Sequence, residues 1–370
     1  MKRRDFVTKL GVGAVAGGAL LSGCGKDKQT SDSKSTKAKT EYKWNMVTTW
    51  PKDFPGLGSG ANTLARTINE LSGGRMHVTV YGAKELVPAG EVFDAVSNGT
   101  AQIGHGAAYY WKGKNEAFQF FSTVPFGMNA QEMNGWMHHG GGLELWKEAY
   151  EPFNLIPAPA GNTTVQMAGW FNKEINSIND LKGLKMRIPG LGGEVLSRAG
   201  GTPVNLPGGE LFTALQTGVI DATEWVGPYN DLAFGFHKVA KHYYYPGWHE
   251  PGTTLEAIIN KKAYDALPAD LQAIVTAACR VANQDMVDEY TTNNNAALHT
   301  LVTEHKVDVR RLSDDVLAKL MQLSDEVVHE VANKSDLGRK VFASYSQYRQ
   351  QAVEWHNISE RAYYDARSKG

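Results

Sequence analysis

The sequence has few cysteines, since only Cys24 and Cys279 occur in 370 residues. Cys24 directly follows an export signal described below and is expected to be lipid-modified, so an internal disulfide is excluded, and no cysteine pair has the spacing of a zinc site. A His-Glu-x-x-His motif is also absent, and His249-Glu250 and His329-Glu330 are unpaired, so we do not expect a zinc site. Cys279 belongs to an apolar helical pattern, and we expect it to be a small core residue.

The chain also lacks an excess of either charge. It holds 38 Lys or Arg and 39 Asp or Glu, for a formal net charge of −1. Without residues 1–23, which contain four Lys or Arg and one Asp, the balance is 34 against 38. Nothing in this composition is basic enough to suggest a nucleic-acid partner.

Two motifs imitate nucleotide or esterase sites but lack a required element. Gly56-Leu-Gly58-Ser-Gly60 resembles a dinucleotide fingerprint, yet Tyr81-Gly82 stands where the acidic residue should end the next strand. His138-His-Gly-Gly-Gly142 resembles an oxyanion-hole motif, but the chain has no Gly-x-Ser-x-Gly to supply a nucleophile. We therefore expect a loop that leads into a helix at the first motif and a turn that ends a helix at the second.

The first residues predict export. Arg3 and Arg4 precede a 12-residue apolar run, 10–21, which is too short to span a bilayer. The twin arginine favours the twin-arginine route, with the general secretory route as the alternative. Leu21-Ser-Gly-Cys24 resembles a lipobox, so residues 1–23 form the signal and Cys24 becomes lipid-modified; a plain cleaved signal is the alternative. Residues 24–41 are polar and predict a flexible tether to the membrane.

The remaining chain alternates strand and helix patterns, which predicts an α/β fold. The early elements are strands at 42–49, 76–81 and 101–108 and helices at 59–71 and about 90–98. A strand at 253–260 is expected to cross back between lobes. Long helices are expected from Pro268 to about His305, at 314–333 and at 339–367.

An internal repeat predicts two similar lobes. Residues 88–99 align with 207–218 at a shift of 119, matching Pro, Gly, Glu, Phe, Ala and Gly. In this register His105 corresponds to Glu224 and Gly106 to Trp225. Because ligands of open α/β sheets bind beyond the carboxyl ends of strands, we expect 105–110 and 224–229 to meet at one cleft. Tyr109 is our predicted ligand contact in the first lobe.

Arg187 and Glu224 are the strongest candidates for a site. Arg187 ends a short strand before Pro189, where its guanidinium can bind a carboxylate in a bidentate manner. Glu224 would repel such an anion unless a hard cation lay between them, with oxygen ligands that include the Gln166 amide. The Trp225 carbonyl offers a further oxygen, and its ring offers a wall. The structural alternative is a simple ion pair between Arg187 and Glu224.

These residues resemble the solute-binding proteins of tripartite ATP-independent periplasmic (TRAP) transporters. The resemblance covers roughly 42–367 and rests on Asp180-Leu-Lys-Gly-Leu-Lys-Met-Arg187-Ile-Pro-Gly and on Leu206-Pro-Gly-Gly-Glu-Leu-Phe-Thr-Ala-Leu-Gln-Thr-Gly. The finer resemblance is to the branch that binds 2-oxo and 2-hydroxy acids, through Ala222-Thr-Glu-Trp-Val-Gly-Pro-Tyr and Tyr245-Pro-Gly-Trp-His-Glu250-Pro-Gly. Some relatives in this branch carry names that refer to mannitol or chloroaromatic acids.

The resemblance implies a two-lobed periplasmic binding fold with a central cleft and long C-terminal helices. Lobe I would comprise 42–164 with about 253–290, and lobe II 165–252 with parts of 291–368. Arg187 would hold the ligand carboxylate, with Glu250, Gln166, Tyr109 and Trp225 as further ligand contacts. Gln166, Glu224 and the Trp225 carbonyl would hold Na⁺ or Ca²⁺.

The resemblance also implies partners: a small organic acid, the TRAP membrane subunits and, through exchange of a C-terminal helix, a second copy of the chain. Many family members are free in the periplasm, so Cys24 and its tether are a departure. Two alternatives remain open at this stage. One is a cation-dependent enzyme acting on an organic acid with His105 as general acid or base. The other is the same fold binding an aromatic acid or a polyol, or serving as a sensory receptor.

Overall fold

The computed structural model describes residues 41–368. The predicted export signal, Cys24 and the tether up to Thr40 lie outside the described residues. Over the range 41–368, no helix is both long enough and apolar enough to cross a membrane.

The described chain alternates strands and helices in its first two thirds and ends in long helices, as the sequence predicts. The strands are β1 (Tyr42–Thr48), β2 (Met76–Tyr81), β3 (Ile103–Gly106), β4 (Leu155–Asn162), β5 (Gly169–Phe171), β6 (Lys185–Arg187), β7 (Thr202–Val204), β8 (Ala222–Thr223), β9 (His242–Tyr245), β10 (Thr254–Asn260) and β11 (Asp308–Arg311). The helices are α1 (Leu57–Leu71), α2 (Val92–Ser97), α3 (Ala130–His139), α4 (Gly142–Tyr150), α5 (Gly190–Arg198), α6 (Leu211–Gln216), α7 (Pro228–Phe234), α8 (Lys261–Asp265), α9 (Ala269–Thr303), α10 (Asp314–Asn333), α11 (Asp336–Ile358) and α12 (Glu360–Arg367).

The strands form two sheets. The first has the order β2-β1-β3-β10-β4, in which β1 pairs in parallel with β2 and β3, and β10 runs antiparallel to β3 and β4. The second has the order β11-β9-β5-β8-β6-β7. The mixed α/β class is confirmed, and β10 returns to the first sheet as expected for the strand predicted at 253–260.

The chain passes between the sheets three times: from β4 to β5, from β9 to β10, and from β10 to β11 through α8 and α9. The lobe boundaries predicted at 164/165 and 252/253 fall within the first two connections. Over 163–168 and 246–253 the two connections run side by side, since the Thr163 N–H donates to the Thr253 carbonyl at 3.1 Å. Cys279 is buried on α9 as a free thiol, which agrees with the predicted core role.

The internal repeat is present in the structure at the same spacing of 119 residues. A 3-10 turn (Ala89–Glu91), helix α2 and a glycine with positive φ lead into β3. Their counterparts are a 3-10 turn (Gly208–Glu210), helix α6 and Gly218, which lead into β8. Each sheet therefore contains the strand that follows one copy of the repeat, as expected for two similar lobes.

The predicted single helix at 339–367 is wrong in its continuity. Two helices, α11 and α12, meet at Ser359, whose φ of −109° and ψ of −100° are not helical. The Ser359 hydroxyl donates to the Trp355 carbonyl at 2.9 Å, and serine side chains that bond to the local backbone compete with helix continuation in this way.

Each sheet buries a carboxylate that accepts hydrogen bonds from one tryptophan and one tyrosine. On β10, Glu256 accepts from Trp111 Nε1 at 2.5 Å and from the Tyr150 hydroxyl at 2.8 Å. On α7, Asp231 Oδ2 accepts from Trp170 Nε1 at 3.0 Å and from the Tyr243 hydroxyl at 2.6 Å. Burial raises the pKa of both carboxyls to about 7, although the donated hydrogen bonds lower it in part.

Glu256 should therefore make stability depend on pH. Because the folded carboxyl binds its proton more tightly than the unfolded one, the stability it contributes is lost as pH rises from about 4 through about 7. Between pH 5.5 and 7.5 the loss is about 2 kcal/mol. Glu256→Gln removes it, so the variant should gain about 2 kcal/mol relative to the wild type over this range, measured by urea unfolding.

Asp315→Asn, at an exposed position of α10, is the control and should track the wild type. A constant difference between Glu256→Gln and the wild type from pH 5.5 to 7.5 would contradict the raised pKa.

Candidate functional site

The residues predicted for the site come from distant parts of the chain and meet where the connections between the sheets run. Arg187 ends β6, and Glu224 with Trp225 follows β8. Gln166 lies between β4 and β5, and Glu250 lies between β9 and β10. All five are buried; the charged ones are only 2, 1 and 2% exposed for Arg187, Glu224 and Glu250.

Hydrogen bonds fix one side of the Arg187 guanidinium. Its Nε donates to the Leu206 carbonyl at 3.2 Å, and its Nη1 donates to Glu224 Oε1 at 2.5 Å and to the Glu224 carbonyl at 3.2 Å. The Trp225 ring lies 4.8 Å from Cζ. Nη2 has only a long contact of 3.5 Å to the Tyr110 hydroxyl among the described residues. Nη2 is therefore the end of the fork best placed to receive a ligand carboxylate.

The Glu224 carboxylate has one engaged oxygen and one without a hydrogen-bond partner in the range 41–368. The second oxygen, Oε2, lies 3.4 Å from His249 Nε2. A close strand approach sets this position, because a Cβ on Gly169 in β5 would lie 2.5 Å from the Thr223 carbonyl oxygen. Gly169 also has a φ of 120°, which favours glycine.

Gln166 and Glu250 tie the two connections together. The Gln166 N–H donates to the Glu250 carbonyl at 3.1 Å, and the Gly247 N–H donates to the Gln166 carbonyl at 2.9 Å. Gln166 Nε2 donates to Glu250 Oε2 at 2.8 Å and to Thr163 Oγ1 at 3.0 Å. The Thr253 hydroxyl donates to the same Glu250 oxygen at 2.6 Å. The Gln166 amide oxygen is left buried with no partner within the described chain.

The cluster has more negative than positive charge when both carboxyls are ionised. Burial and the neighbouring Glu224 raise the pKa of Glu250 to about 7, while His249 lowers it in part. Burial lowers the pKa of Arg187, but Glu224, Tyr110, Tyr109 and Glu250 together outweigh this, and the pKa lies above its usual value. One permanent cation thus faces two carboxylates, and a bound cation would complete the balance.

Two cavities meet at Tyr110 and Trp225. The inner cavity, about 210 Å³, is also lined by Trp50, Leu57, Tyr109, Thr163, Gln166, Val226 and Leu255. The outer cavity, about 470 Å³, is also lined by Thr49, Ala89, Gly90, Arg187, Asn205, Leu206, Pro207 and Gly208. The first turns of both repeat copies thus face each other at the outer cavity, which is the common cleft that the repeat predicts.

His105 does not take part in this cleft, and the idea that it acts there as a general acid or base is wrong. Its Nδ1 accepts a hydrogen bond from Trp50 Nε1 at 2.7 Å, and its Nε2 lies 3.2 Å from the Ala160 carbonyl. Burial lowers its pKa to about 4, so the ring is a neutral core residue with both nitrogens engaged.

The sequence interpretation missed Tyr110 and His249. Tyr110 lay inside the segment 105–110 expected at the cleft, but Tyr109 was preferred there. His249 precedes Glu250 in the Trp-His-Glu-Pro-Gly motif, whose spacing alone gave no sign that its ring would turn towards Glu224.

Comparisons with known proteins give the family. The family described as "Bacterial extracellular solute-binding protein, family 7" (DctP) matches residues 46–335. A monocarboxylate 2-oxoacid-binding periplasmic protein of Nostoc sp. is 42% identical over 363 residues, which are 98% of each chain.

Two solved structures are also similar over most of the chain. A TRAP periplasmic solute-binding protein from Pseudoalteromonas atlantica, with bound sodium and pyruvate, is 44% identical with a TM-score of 0.86; the match covers 88% of this chain and 99% of that one. A dimeric TRAP solute-binding protein from Bordetella bronchiseptica, with calcium and picolinate in one site, is 35% identical with a TM-score of 0.87, over 89% and 98%. The chain therefore belongs to the DctP family of bacterial extracellular solute-binding proteins and is a periplasmic receptor of the TRAP type, not an enzyme.

Proposed function

We propose that this receptor binds a small 2-oxo or 2-hydroxy monocarboxylate of the pyruvate type together with Na⁺ or Ca²⁺, and delivers it to TRAP membrane subunits. The Nostoc relative is named for 2-oxoacid binding, and the Pseudoalteromonas relative holds pyruvate with sodium. The observation that carries the proposal is a set of buried groups that the described chain leaves without partners: Gln166 Oε1 and Glu224 Oε2, beside the loosely held Nη2 of Arg187.

Buried polar atoms without partners destabilise a fold by about 1–3 kcal/mol each. Carboxylate and amide oxygens are what a hard cation binds, so Gln166, Glu224 and the Trp225 carbonyl would hold it. Nη2 of Arg187 would bind the acid's carboxylate. The carboxylate and 2-oxo oxygens of the ligand would then complete the coordination shell of the cation. The binding of the acid would therefore depend on the cation, and the binding of the cation on the acid.

The inner cavity favours a small ligand. Its lining is largely aromatic and aliphatic, and it is the smaller of the two cavities, at about 210 Å³ against about 470 Å³. Tyr109 and Trp225 would contact the short apolar end of the ligand. Glu250 would contact the ligand through its own side-chain carboxyl group. An aromatic acid is the competing ligand, since picolinate occupies the Bordetella relative.

Pyruvate should stabilise the metal-stripped, ligand-free domain only when sodium or calcium is present. A ligand at about a hundred times its Kd adds about 2.7 kcal/mol, which raises the melting temperature by a few degrees. The measurement is thermal unfolding with pyruvate in sodium, calcium or choline buffer containing a chelator. Propionate, which lacks the 2-oxo group, is the matched control and should give a smaller shift.

An equal increase in melting temperature in choline buffer would reject the requirement for a cation but would still support a receptor that binds pyruvate. A shift with picolinate but none with pyruvate or lactate would reject the small 2-oxo acid.

We further propose that the twin-arginine route exports the chain, as Arg3 and Arg4 indicate. We also propose that lipid on Cys24 anchors it to the membrane, as the lipobox at Leu21-Ser-Gly-Cys24 indicates. Wild-type protein should fractionate with membranes and Cys24→Ala with the soluble periplasm; equal release of both would reject the anchor.

We also propose a homodimer through the C-terminal helices α11 and α12. These helices expose large apolar side chains at Val353, Trp355, Ile358, Tyr363 and Tyr364, which are between 43 and 74% exposed. Such a group of apolar residues on a surface typically marks an interaction site.

Sedimentation should show a dimer for residues 41–370 and a monomer for the double variant Trp355→Glu/Ile358→Glu. Met321→Glu, on an exposed position of α10, is the control and should stay dimeric. A monomeric wild type at tens of micromolar would reject the interface.

A further inference from the structure

Beside the oxygen ligands of the proposed site lies a buried imidazole that the proposed function does not use. His249 is 1% exposed, and neither of its ring nitrogens has a hydrogen-bond partner within residues 41–368. Helix α5 packs closely against His249, because a Cβ on Gly192 would lie 2.9 Å from His249 Cβ. A buried imidazole with no partner is a costly arrangement unless something binds to it.

The imidazole lies against two carboxylates. Glu224, His249 and Glu250 each offer one ligand atom, and these atoms lie within 4.8 Å of one another. The distance from His249 Nε2 to Glu224 Oε2 is 3.4 Å. Two ligands about 2.0–2.1 Å from a tetrahedral zinc ion are separated by about 3.4 Å, so this pair already has the right spacing.

The geometry points to a second cation position, formed by Glu224, His249 and Glu250, that takes a divalent transition metal such as Zn²⁺ without any organic acid. Sodium and calcium prefer oxygen ligands, whereas neutral imidazole suits zinc and its neighbours. Three protein ligands and a water complete a tetrahedral shell. Glu224 and Glu250 supply two anionic ligands, and Arg187 stays bonded to the other Glu224 oxygen.

Because Glu224 serves both positions, the two cations should exclude each other. A transition metal would hold Glu224 Oε2 and the Glu250 carboxylate, and would remove one ligand from the oxygen shell of Na⁺ or Ca²⁺. The receptor would then bind the acid poorly whenever that metal was present. Only this competition rests on the proposed function; binding of the metal alone does not.

The test uses the metal-stripped mature chain without organic acid, titrated with Co²⁺ as a spectroscopic substitute and with Zn²⁺ by calorimetry. The wild type should bind one equivalent, with the visible cobalt absorption of a low-coordinate site. His249→Gln should lose the cobalt band and weaken Zn²⁺ binding at least about tenfold.

His305→Gln is the matched control, because His305 is an exposed ring stacked on His237 at 4.0 Å and is the obvious place for adventitious zinc. It should keep the cobalt band. A wild type with no band, or His249→Gln with an unchanged band, would overturn the inference.

Adding calcium and pyruvate to the cobalt-loaded wild type gives a second measurement that needs no variant. The band should fall as Glu224 is taken over, and a band that persists while pyruvate binds would overturn the shared ligand. If pyruvate fails to bind the cobalt-free chain even with calcium or sodium present, but the cobalt band appears, the proposed function fails and the transition-metal site stands.

Discussion

Replacing Arg187 with methionine is expected to abolish pyruvate binding and to destabilise the folded chain by about 3–5 kcal/mol. Binding is lost because the Nη2 end of the fork, whose one hydrogen bond within residues 41–368 is the 3.5 Å contact with the Tyr110 hydroxyl, is the group that would receive the carboxylate. Stability is lost because Glu224, 1% exposed, would keep a buried charge without its partner. Calorimetry with pyruvate in calcium buffer and urea unfolding measure the two effects.

The double variant Arg187→Met/Glu224→Gln separates these effects. Removing both charges eliminates the unpaired carboxylate, so the free energy of unfolding should recover most of the loss, while pyruvate binding stays absent. Arg187→Lys should keep the charge but lose the fork geometry, with affinity lower by about a hundredfold. Arg66→Met, at an exposed arginine of α1, is the control. Retained pyruvate affinity in a folded Arg187→Met variant would place the carboxylate anchor elsewhere.

Glu224→Gln is expected to remove the dependence of pyruvate affinity on sodium or calcium. Glu224 Oε2 has no hydrogen-bond partner within residues 41–368 and would be the anionic ligand of the cation. Loss of a residue that only supports a metal ligand weakens metal binding by about tenfold to a hundredfold, so loss of the ligand itself should weaken it at least as much. Pyruvate titrations with and without calcium should therefore differ strongly in the wild type and by less than about twofold in the variant.

Glu256→Gln is the matched control for this experiment, because Glu256 is equally buried and of the same type but bonds to Trp111 and Tyr150. It should keep the full calcium dependence. If Glu224→Gln also kept it, the cation would have to be held by Glu250 and Gln166 without Glu224.

The sequence predicts the site best where a side chain ends a strand. Arg187 and Glu224 follow short strands of one sheet, and the chain order alone places such positions at a common edge. The internal repeat adds a second prediction, because matching segments at a constant spacing of 119 residues indicate two similar units. The turns at Ala89 and Pro207, one from each unit, line the same cavity. Local pattern and tertiary position agree in these cases.

The same repeat gave a wrong prediction for His105, which it placed at the cleft. Correspondence with Glu224 gives its place along the strand but not the neighbours of its side chain, and Trp50 comes from a loop 55 residues earlier. His249 and Tyr110 were missed for a related reason, because their importance depends on which residues other segments bring beside them. The interruption at Ser359 had no glycine or proline to announce it, and a hydroxyl bond to the preceding turn is not visible in a periodicity pattern.

Gln166 and Glu250 lie in the two connections that run side by side between the sheets, and they bond to each other there. Domains that close on a ligand rotate about a few residues in such connections. We expect these connections to form the hinge of this receptor, so the side chains proposed to bind the ligand and the cation would be part of that hinge. Ligand binding would then change the backbone torsions of these segments directly. The membrane subunits could distinguish the ligand-bound receptor from the empty one by the relative orientation of its two sheets, without contacting the ligand.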